Sequence, residues 1–328
     1  MKIAFFDIEQ KEIEFFKKEL QGQEIYFFEE SINETNLEKF SFIRDLDIIS
    51  VFIYSKLNKK VIDFFENLKL ITTRSTGMDH IDLEYAKSKN ISVLNVPSYG
   101  ENTVAEHTFA LILTLSRNIQ KAYIRTINQN FDIHGLEGFD LNGKTLGVIG
   151  TGKIGIHVIK IAKGFGMDVI AYDKVENSLA KELLNFRYVE LDYLLSNSDI
   201  VTIHIPLMPE TYHLINLENI KKFKRGSLLI NTARGAIVDT DAILYGLENK
   251  ILAGVGLDVI EGEEYLREEK EIIKDPKKFK ENLQLIKDHI LIHHENVIFT
   301  PHIAFYSKEA EKRIMEKTKD NIKLFIKE

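Results

Sequence analysis

Gly150-Thr151-Gly152-Lys153-Ile154-Gly155 has the spacing G-x-G-x-x-G. In such a run the first glycine makes a tight turn. The second lets backbone N–H groups approach a pyrophosphate, and the third lets a helix sit close to the sheet. Alone the pattern arises by chance, but here the context fits. The apolar strand Leu146-Gly147-Val148-Ile149 feeds into it and a helix from Lys153 follows, so the helix N-terminus faces the phosphates. The next strand, Val169-Ile170-Ala171-Tyr172, ends in Asp173, close to the ~20-residue spacing of a ribose-binding acid. A carboxylate there accepts hydrogen bonds from both adenosine ribose hydroxyls and repels a 2′-phosphate. The cofactor expected is NAD rather than NADP.

Three further groups stand at strand ends, where open α/β sheets bind ligands. Arg234 follows the strand Leu228-Leu229-Ile230 within Asn231-Thr232-Ala233-Arg234-Gly235. Its planar fork suits bidentate contact with a carboxylate. Glu263 lies just past Gly254 to Val259, and His302 just past Val297 to Phe299. A protonated histidine can donate to a carbonyl oxygen while hydride arrives at its carbon. A neighbouring glutamate favours the charged imidazole and holds the ring's orientation. Taken singly, each has a plainer reading as a surface ion pair, part of an acidic run, or a loop hydrogen bond.

The elements that position these groups alternate between apolar strands and amphipathic helices. In the first part strands are expected at 2–6, 47–54, 70–73 and 91–94, with helices at 11–20 and 83–89. A long helix from Glu101 to Arg117 follows. A second set of strands is expected at 145–149, 168–172, 199–204, 227–231, 253–257 and 297–299. Its helices are expected at 153–165, 178–185, 216–222 and 240–248. Continuous apolar strands separated by helices imply parallel sheets covered on both faces. The segment 261–296, with its mixed charge, reads as a solvated helical excursion. Lys308 to Lys327 is one amphipathic helix, expected to return to the first unit.

Composition bounds the rest. At about 150 residues per domain, 328 residues imply about two domains, and 44% apolar with 28% charged residues is an ordinary globular balance. Acids outnumber bases, 50 to 43, for a net charge of -7, which gives no general attraction to nucleic acid. With no cysteine there is no disulfide, thiolate metal site or cysteine nucleophile, and no metal is expected. Asp7 interrupts the first apolar run, and no stretch of ~18 apolar residues occurs, so a cytoplasmic protein is expected.

The chain resembles the D-isomer-specific 2-hydroxyacid dehydrogenase family over nearly its whole length, most closely the D-lactate dehydrogenase branch. The carriers are Thr73-Arg74-Ser75-Thr76-Gly77-Met78-Asp79-His80-Ile81-Asp82, Val96-Pro97-Ser98-Tyr99, Thr103-Val104-Ala105-Glu106-His107, and the glycine turn. His204-Ile205-Pro206, the Asn231 to Gly235 run, Gly256-Leu257-Asp258-Val259 and Thr300-Pro301-His302-Ile303-Ala304-Phe305-Tyr306 complete them. The resemblance implies an α/β fold of two Rossmann-like or flavodoxin-like domains with parallel sheets and an interdomain cleft. The substrate domain would be discontinuous, 1–99 plus 300–328, and the NAD-binding domain 100–299.

It also implies a catalytic set. Arg234 would bind the substrate carboxylate and polarise the C2 carbonyl, His302 would give the proton in reduction, and Glu263 would keep His302 charged. Thr76 and Gly77 would hold the carboxylate through their amides, and Tyr54, Tyr99 and Phe305 would crowd the substrate side chain. The cofactor contacts implied are Val104, Gly150, Gly152, Lys153, Ile154, Gly155, Asp173, His204, Ile205, Pro206, Thr211, Thr232, Ala233 and Asp258. The substrate would be a small 2-oxo acid such as pyruvate, reduced with NADH. The partner would be a second copy, a homodimer joined through the long helix from Glu101, with neither nucleic acid nor membrane involved. A non-catalytic NAD-binding sensor or corepressor, or a family enzyme acting on another acid such as phosphoglycerate, are the alternatives.

Overall fold

The structure, a computed structural model, describes residues 1–263 and 283–327. The chain divides into two units, Met1–Tyr99 with Tyr306–Glu328, and Gly100–Phe305.

The first unit is built on five strands, β1 (Lys2–Phe5), β2 (Glu24–Phe27), β3 (Ile48–Val51), β4 (Leu70–Thr73) and β5 (Ser92–Leu94). They pair in parallel in the order β2-β1-β3-β4-β5. Alternate residues face opposite sides. Ile3, Phe5, Ile48 and Leu70 pack with Phe16 and Ile322 in one core, while Ala4, Ile49, Val51 and Ile71 pack with Phe40 and Val61 in the other. Burial on both faces explains why these strands read as unbroken apolar runs. Ile322 belongs to the helix Lys308–Lys327, which therefore returns to this sheet as expected.

The second unit has seven strands, β6 (Thr145–Ile149), β7 (Asp168–Tyr172), β8 (Arg187–Tyr188), β9 (Ile200–Ile203), β10 (Ser227–Asn231), β11 (Leu252–Leu257) and β12 (Val297–Phe299). Their order is β12-β11-β10-β9-β6-β7-β8, all parallel. The direction of winding reverses between β6 and β9, the point in such sheets where a crevice opens beyond the strand ends. In the first sheet the reversal falls between β1 and β3.

Four expectations need correction. The helix expected at 216–222 is only a 3₁₀ turn, Ile220–Lys222. The Asn216 side chain accepts from the backbone N–H groups of Glu218 and Asn219, and that of Asn219 accepts from Asn216 N–H. These local bonds compete with a helical ladder. The edge strand β2 was not anticipated, although Ile25-Tyr26-Phe27 is an apolar, β-prone run that packs against both cores. The chain re-enters the first unit at Tyr306 rather than at residue 300. Asp258 holds residues 302–304 in the second unit through their backbone N–H groups. Of the charged segment 261–296, residues 264–282 lie outside the described residues. Its remainder includes the helix Leu283–Ile292, which buries Leu285 and Leu291 in the core and is not simply solvated.

Among the described residues no helix is long and apolar enough to cross a membrane.

Candidate functional site

Arg234, Glu263 and His302 follow β10, β11 and β12, three neighbouring parallel strands, so all three lie beyond the carboxyl ends of the second sheet's strands. The structure joins two of them directly. His302 Nδ1 lies 2.9 Å from Glu263 Oε1, with side chains 15% and 26% exposed. An Nδ1–H donated to that carboxylate fixes the ring and leaves Nε2 as the nitrogen that can give or take a proton. Arg234 stands in a turn fixed by Asn231. Asn231 Nδ2 donates to the Arg234 carbonyl at 2.9 Å and Ala233 N–H donates to Asn231 Oδ1 at 3.0 Å. The turn packs backbone to backbone on the segment leading to Glu263, since a Cβ at Gly235 would fall 2.1 Å from the Ile260 carbonyl. One guanidinium nitrogen donates to the Ala233 carbonyl at 2.8 Å.

His302 has a left-handed backbone, φ 56°, which an L residue keeps only when its surroundings hold it there. Asp258 does the holding. Its carboxylate, 1% exposed, accepts from Thr300 Oγ1 at 2.6 Å, Ile303 N–H at 2.9 Å and Ala304 N–H at 2.8 Å, and its carbonyl accepts from His302 N–H at 2.9 Å. Asp258, expected to contact the cofactor, thus has its carboxylate committed to the loop that carries His302.

The glycine turn lies at the reversal point between β6 and β9. Gly150 has φ +95°, and a Cβ there would lie 2.6 Å from the His204 carbonyl. At Gly155 a Cβ would lie 2.0 Å from the Gly150 carbonyl, so the helix Lys153–Gly164 can sit this close to the turn only with glycine. Around Gly152 the opposite holds. A Cβ would meet nothing within 4 Å, and the helix start has no side-chain cap, so its amides face open space. His204 N–H donates to the Ile149 carbonyl at 2.7 Å, tying the two strand ends. Burial pushes its imidazole down to about 3, and its Nδ1 is buried with no partner among the described residues. An open amide cradle beside an orphaned buried nitrogen fits a bound dinucleotide.

Asp173 is half-buried and accepts from Thr151 N–H at 2.6 Å, Thr151 Oγ1 at 3.0 Å and Val175 N–H at 3.2 Å, which leaves Oδ1 with remaining acceptor capacity for a hydroxyl. Lys153 is mostly exposed, 3.7 Å from Glu101, and Ile154 packs against the core. Thr211 Oγ1 donates to the Pro206 carbonyl at 2.7 Å and closes the loop after Ile205. Thr232 is buried, with Oγ1 3.1 Å from that of Thr108, and the Val104 carbonyl accepts from Thr108 Oγ1 at 2.8 Å. Ala233 stands in the Arg234 turn.

Of the residues expected to meet substrate, Tyr54, Thr76, Gly77 and Tyr99 belong to the first unit and Phe305 to the second. Tyr54 follows β3 at that sheet's own reversal point, with its ring edge-on to Phe52. Thr76 and Gly77 follow β4. Thr76 Oγ1 donates to the Val96 carbonyl at 2.8 Å, and Ser75 Oγ to the Gly77 carbonyl at 2.7 Å. Tyr99 gives its carbonyl to Arg313 Nε.

Two groups were missed. Thr300 and His107 stand in recognised motifs but had no assigned role, because only the folded chain brings them to Asp258. His213, Asp239 and Glu261 present ligand atoms within 4.8 Å of one another, and His213 Nε2 is 2.7 Å from Glu261 Oε1. Three separate loops meet there, and no spacing in the chain signals it.

The model of the D-isomer-specific 2-hydroxyacid dehydrogenase family, NAD-binding domain, matches residues 109–304. The chain belongs to that family. The chain is 35% identical over 329 residues to D-lactate dehydrogenase of Escherichia coli, covering 98% of this chain and 96% of the relative. It is 37% identical over 335 residues to an aromatic 2-oxoacid reductase of Clostridium sporogenes, covering 99% and 96%. The solved structure of D-lactate dehydrogenase from Aquifex aeolicus complexed with NAD and lactic acid superposes with TM-score 0.88 at 38% identity, covering 99% and 95%. This dehydrogenase is therefore an oxidoreductase, and its cofactor is NAD.

Proposed function

We propose that the chain is a D-lactate dehydrogenase that reduces pyruvate with NADH. The observation that carries the reading is the His302–Glu263 bond at the end of three neighbouring strands, with Arg234 on the third. When bound, the nicotinamide supplies or accepts a hydride. The residues of the chain do the rest. Arg234 binds the substrate carboxylate with its fork and polarises the C2 carbonyl. His302 Nε2 donates a proton to the carbonyl oxygen in reduction and takes it back in oxidation. Glu263 holds Nδ1 throughout, so the same nitrogen always faces the reacting oxygen. The amides of Thr76 and Gly77 bind the carboxylate, and Tyr54, Tyr99 and Phe305 limit the substrate side chain. The turn from Gly150 to Gly155 holds the pyrophosphate, with Lys153, Ile154, Val104, His204 to Pro206, Thr211, Thr232 and Ala233 around the cofactor. Asp173 takes the ribose hydroxyls and disfavours a 2′-phosphate.

The likeness to an aromatic 2-oxoacid reductase favours one second reading, a bulkier 2-oxo acid on the same machinery. One methylene changes discrimination by only ~1–3 kcal/mol, so the pocket decides and the mechanism does not change. NADH oxidation with a panel of 2-oxo acids, with chiral analysis of the product, tests both. Fast turnover of pyruvate to D-lactate supports the first reading. Turnover confined to bulky acids moves the assignment to the second, and no turnover with any acid removes both.

The partner in this proposal is a second copy. The helix from Glu101, expected to carry the dimer contacts, is largely buried in its own unit. The next helix, Ile119–Ile127, buries nothing and leaves Ile119, Tyr123, Ile124 and Ile127 exposed, with Phe131 and Ile133 beyond it. Exposed apolar residues in such number mark an interaction surface. Sedimentation of a monomer at micromolar concentration would remove the homodimer.

A further inference from the structure

The helix Glu101–Ser116 carries His107, whose side chain is 20% exposed. Its Nε2 is 3.0 Å from Thr300 Oγ1 and 3.5 Å from Asp258 Oδ1. Thr300 has one hydroxyl hydrogen, and at 2.6 Å it goes to Asp258 Oδ1. The Thr300 oxygen therefore accepts, and His107 presents Nε2–H to it. Burial draws the His107 imidazole below its ordinary range against the pull of Asp258, which favours this neutral form. The chain of bonds runs from His107 to Thr300 to Asp258, and from Asp258 to the N–H groups of His302, Ile303 and Ala304. His302 sits inside this grip at φ 56°. The neighbouring Thr108 does the same for the other loop, with its Oγ1 3.1 Å from that of Thr232, two residues before Arg234.

We propose that His107 is a positioning residue that, through Thr300 and Asp258, holds the backbone presenting His302 to Glu263. The proposal rests on the reading of His302 as proton donor. His107 touches no reacting atom. Its removal leaves Thr300 with one fewer partner and loosens one end of the loop, and a displacement of ~1 Å at a reacting group can cost about 10²-fold in rate.

The test compares His107→Ala, His107→Gln and Thr300→Val with wild type and His302→Ala, in NADH-driven reduction of pyruvate by the full chain. A glutamine amide can place an N–H where the imidazole Nε2–H stood. The expected result for His107→Ala is a kcat lower by about 10- to 100-fold, with KM for pyruvate and NADH within about threefold. His107→Gln recovers most of the loss, and Thr300→Val reproduces it. In a double variant the two losses do not add, because both cut one chain of bonds. A wild-type kcat in His107→Ala, or a glutamine variant as slow as alanine, overturns the proposal. If His107→Ala does not fold, Thr300→Val decides by the same criteria. A crystal structure of either variant gives a readout independent of turnover. A retained 2.9 Å His302–Glu263 bond and left-handed His302 contradict the proposal even if no 2-oxo acid is turned over. If wild type and His302→Ala are equally fast, the proton-donor reading fails by itself.

Discussion

The two units secure their ligand-side loops in opposite ways. In the first, a buried cation sits at the centre and donates outward. Arg74, 1% exposed, bonds the carbonyls of Phe6 at 2.8 Å and Asp7 at 2.6 Å and Ser50 Oγ at 3.2 Å, and pairs with Glu12 at 3.2 Å. It thereby ties the ends of β1 and β3 to the residue that follows β4. In the second unit a buried anion, Asp258, sits at the centre and accepts inward from Thr300 and the backbone around His302. The arginine itself keeps its charge at any working pH. The second unit places a titratable imidazole on its frame and couples it to Glu263. The first unit thus frames its loops around a fixed charge, and the second around a carboxylate that grips the histidine proposed as proton donor.

The largest effect should come from breaking the first frame. Arg74→Met leaves Glu12 without its cation and the Phe6 and Asp7 carbonyls without this donor, at a cost of about 3 to 5 kcal/mol. Chemical denaturation measures this, and an unchanged midpoint would show that Arg74 is not central. Next in size, Arg234→Lys keeps the charge of the second unit's site but loses the fork. A fall in kcat/KM of about 10²- to 10³-fold is expected, as for losing one oriented donor. Near-normal kinetics would take Arg234 out of substrate binding.

A smaller pair of effects sharpens the contrast through pH. Burial pushes His204 down to about 3 from its ordinary 6.5, so its share of stability is complete above 6.5 and is lost as pH falls toward 3. His204→Gln should remove that slope, on the order of 2 kcal/mol between pH 7 and pH 4.5. Asp7, half-buried and accepting from Ser55 Oγ, has the opposite sign. Burial raises its carboxyl above 3.8, so its share is complete at low pH and is lost as pH rises through the raised value. Asp7→Asn should flatten stability on that side. Denaturation series at several pH values read both, and changes of slope from wild type with the same sign in the two variants would contradict the account.

Much of this was legible from residue types alone. Apolar runs with turn residues between them located the buried strands, and the glycine turn, Arg234, Glu263 and His302 all stood at strand ends. What escaped depended on where distant segments meet. The hold that Asp258 has on the His302 loop escaped because nothing in the chain shows that residues 300, 303 and 304 return to its carboxylate. His107 and Thr300 lay in recognised motifs without a role for the same reason. The 216–222 stretch has helical spacing, yet its asparagines bond locally and stop the helix. β2 was missed although Ile25 to Phe28 is an apolar run, because so short a run was not set apart from the helix before it.

The central claim is that His302, held by Glu263 on the second unit's frame, moves the proton. Steady-state NADH oxidation with pyruvate, wild type beside His302→Ala at equal folded concentration, tests it most directly. The account predicts D-lactate from wild type and a kcat lower by about 10²- to 10⁴-fold in the variant. Equal turnover by the two proteins would contradict it.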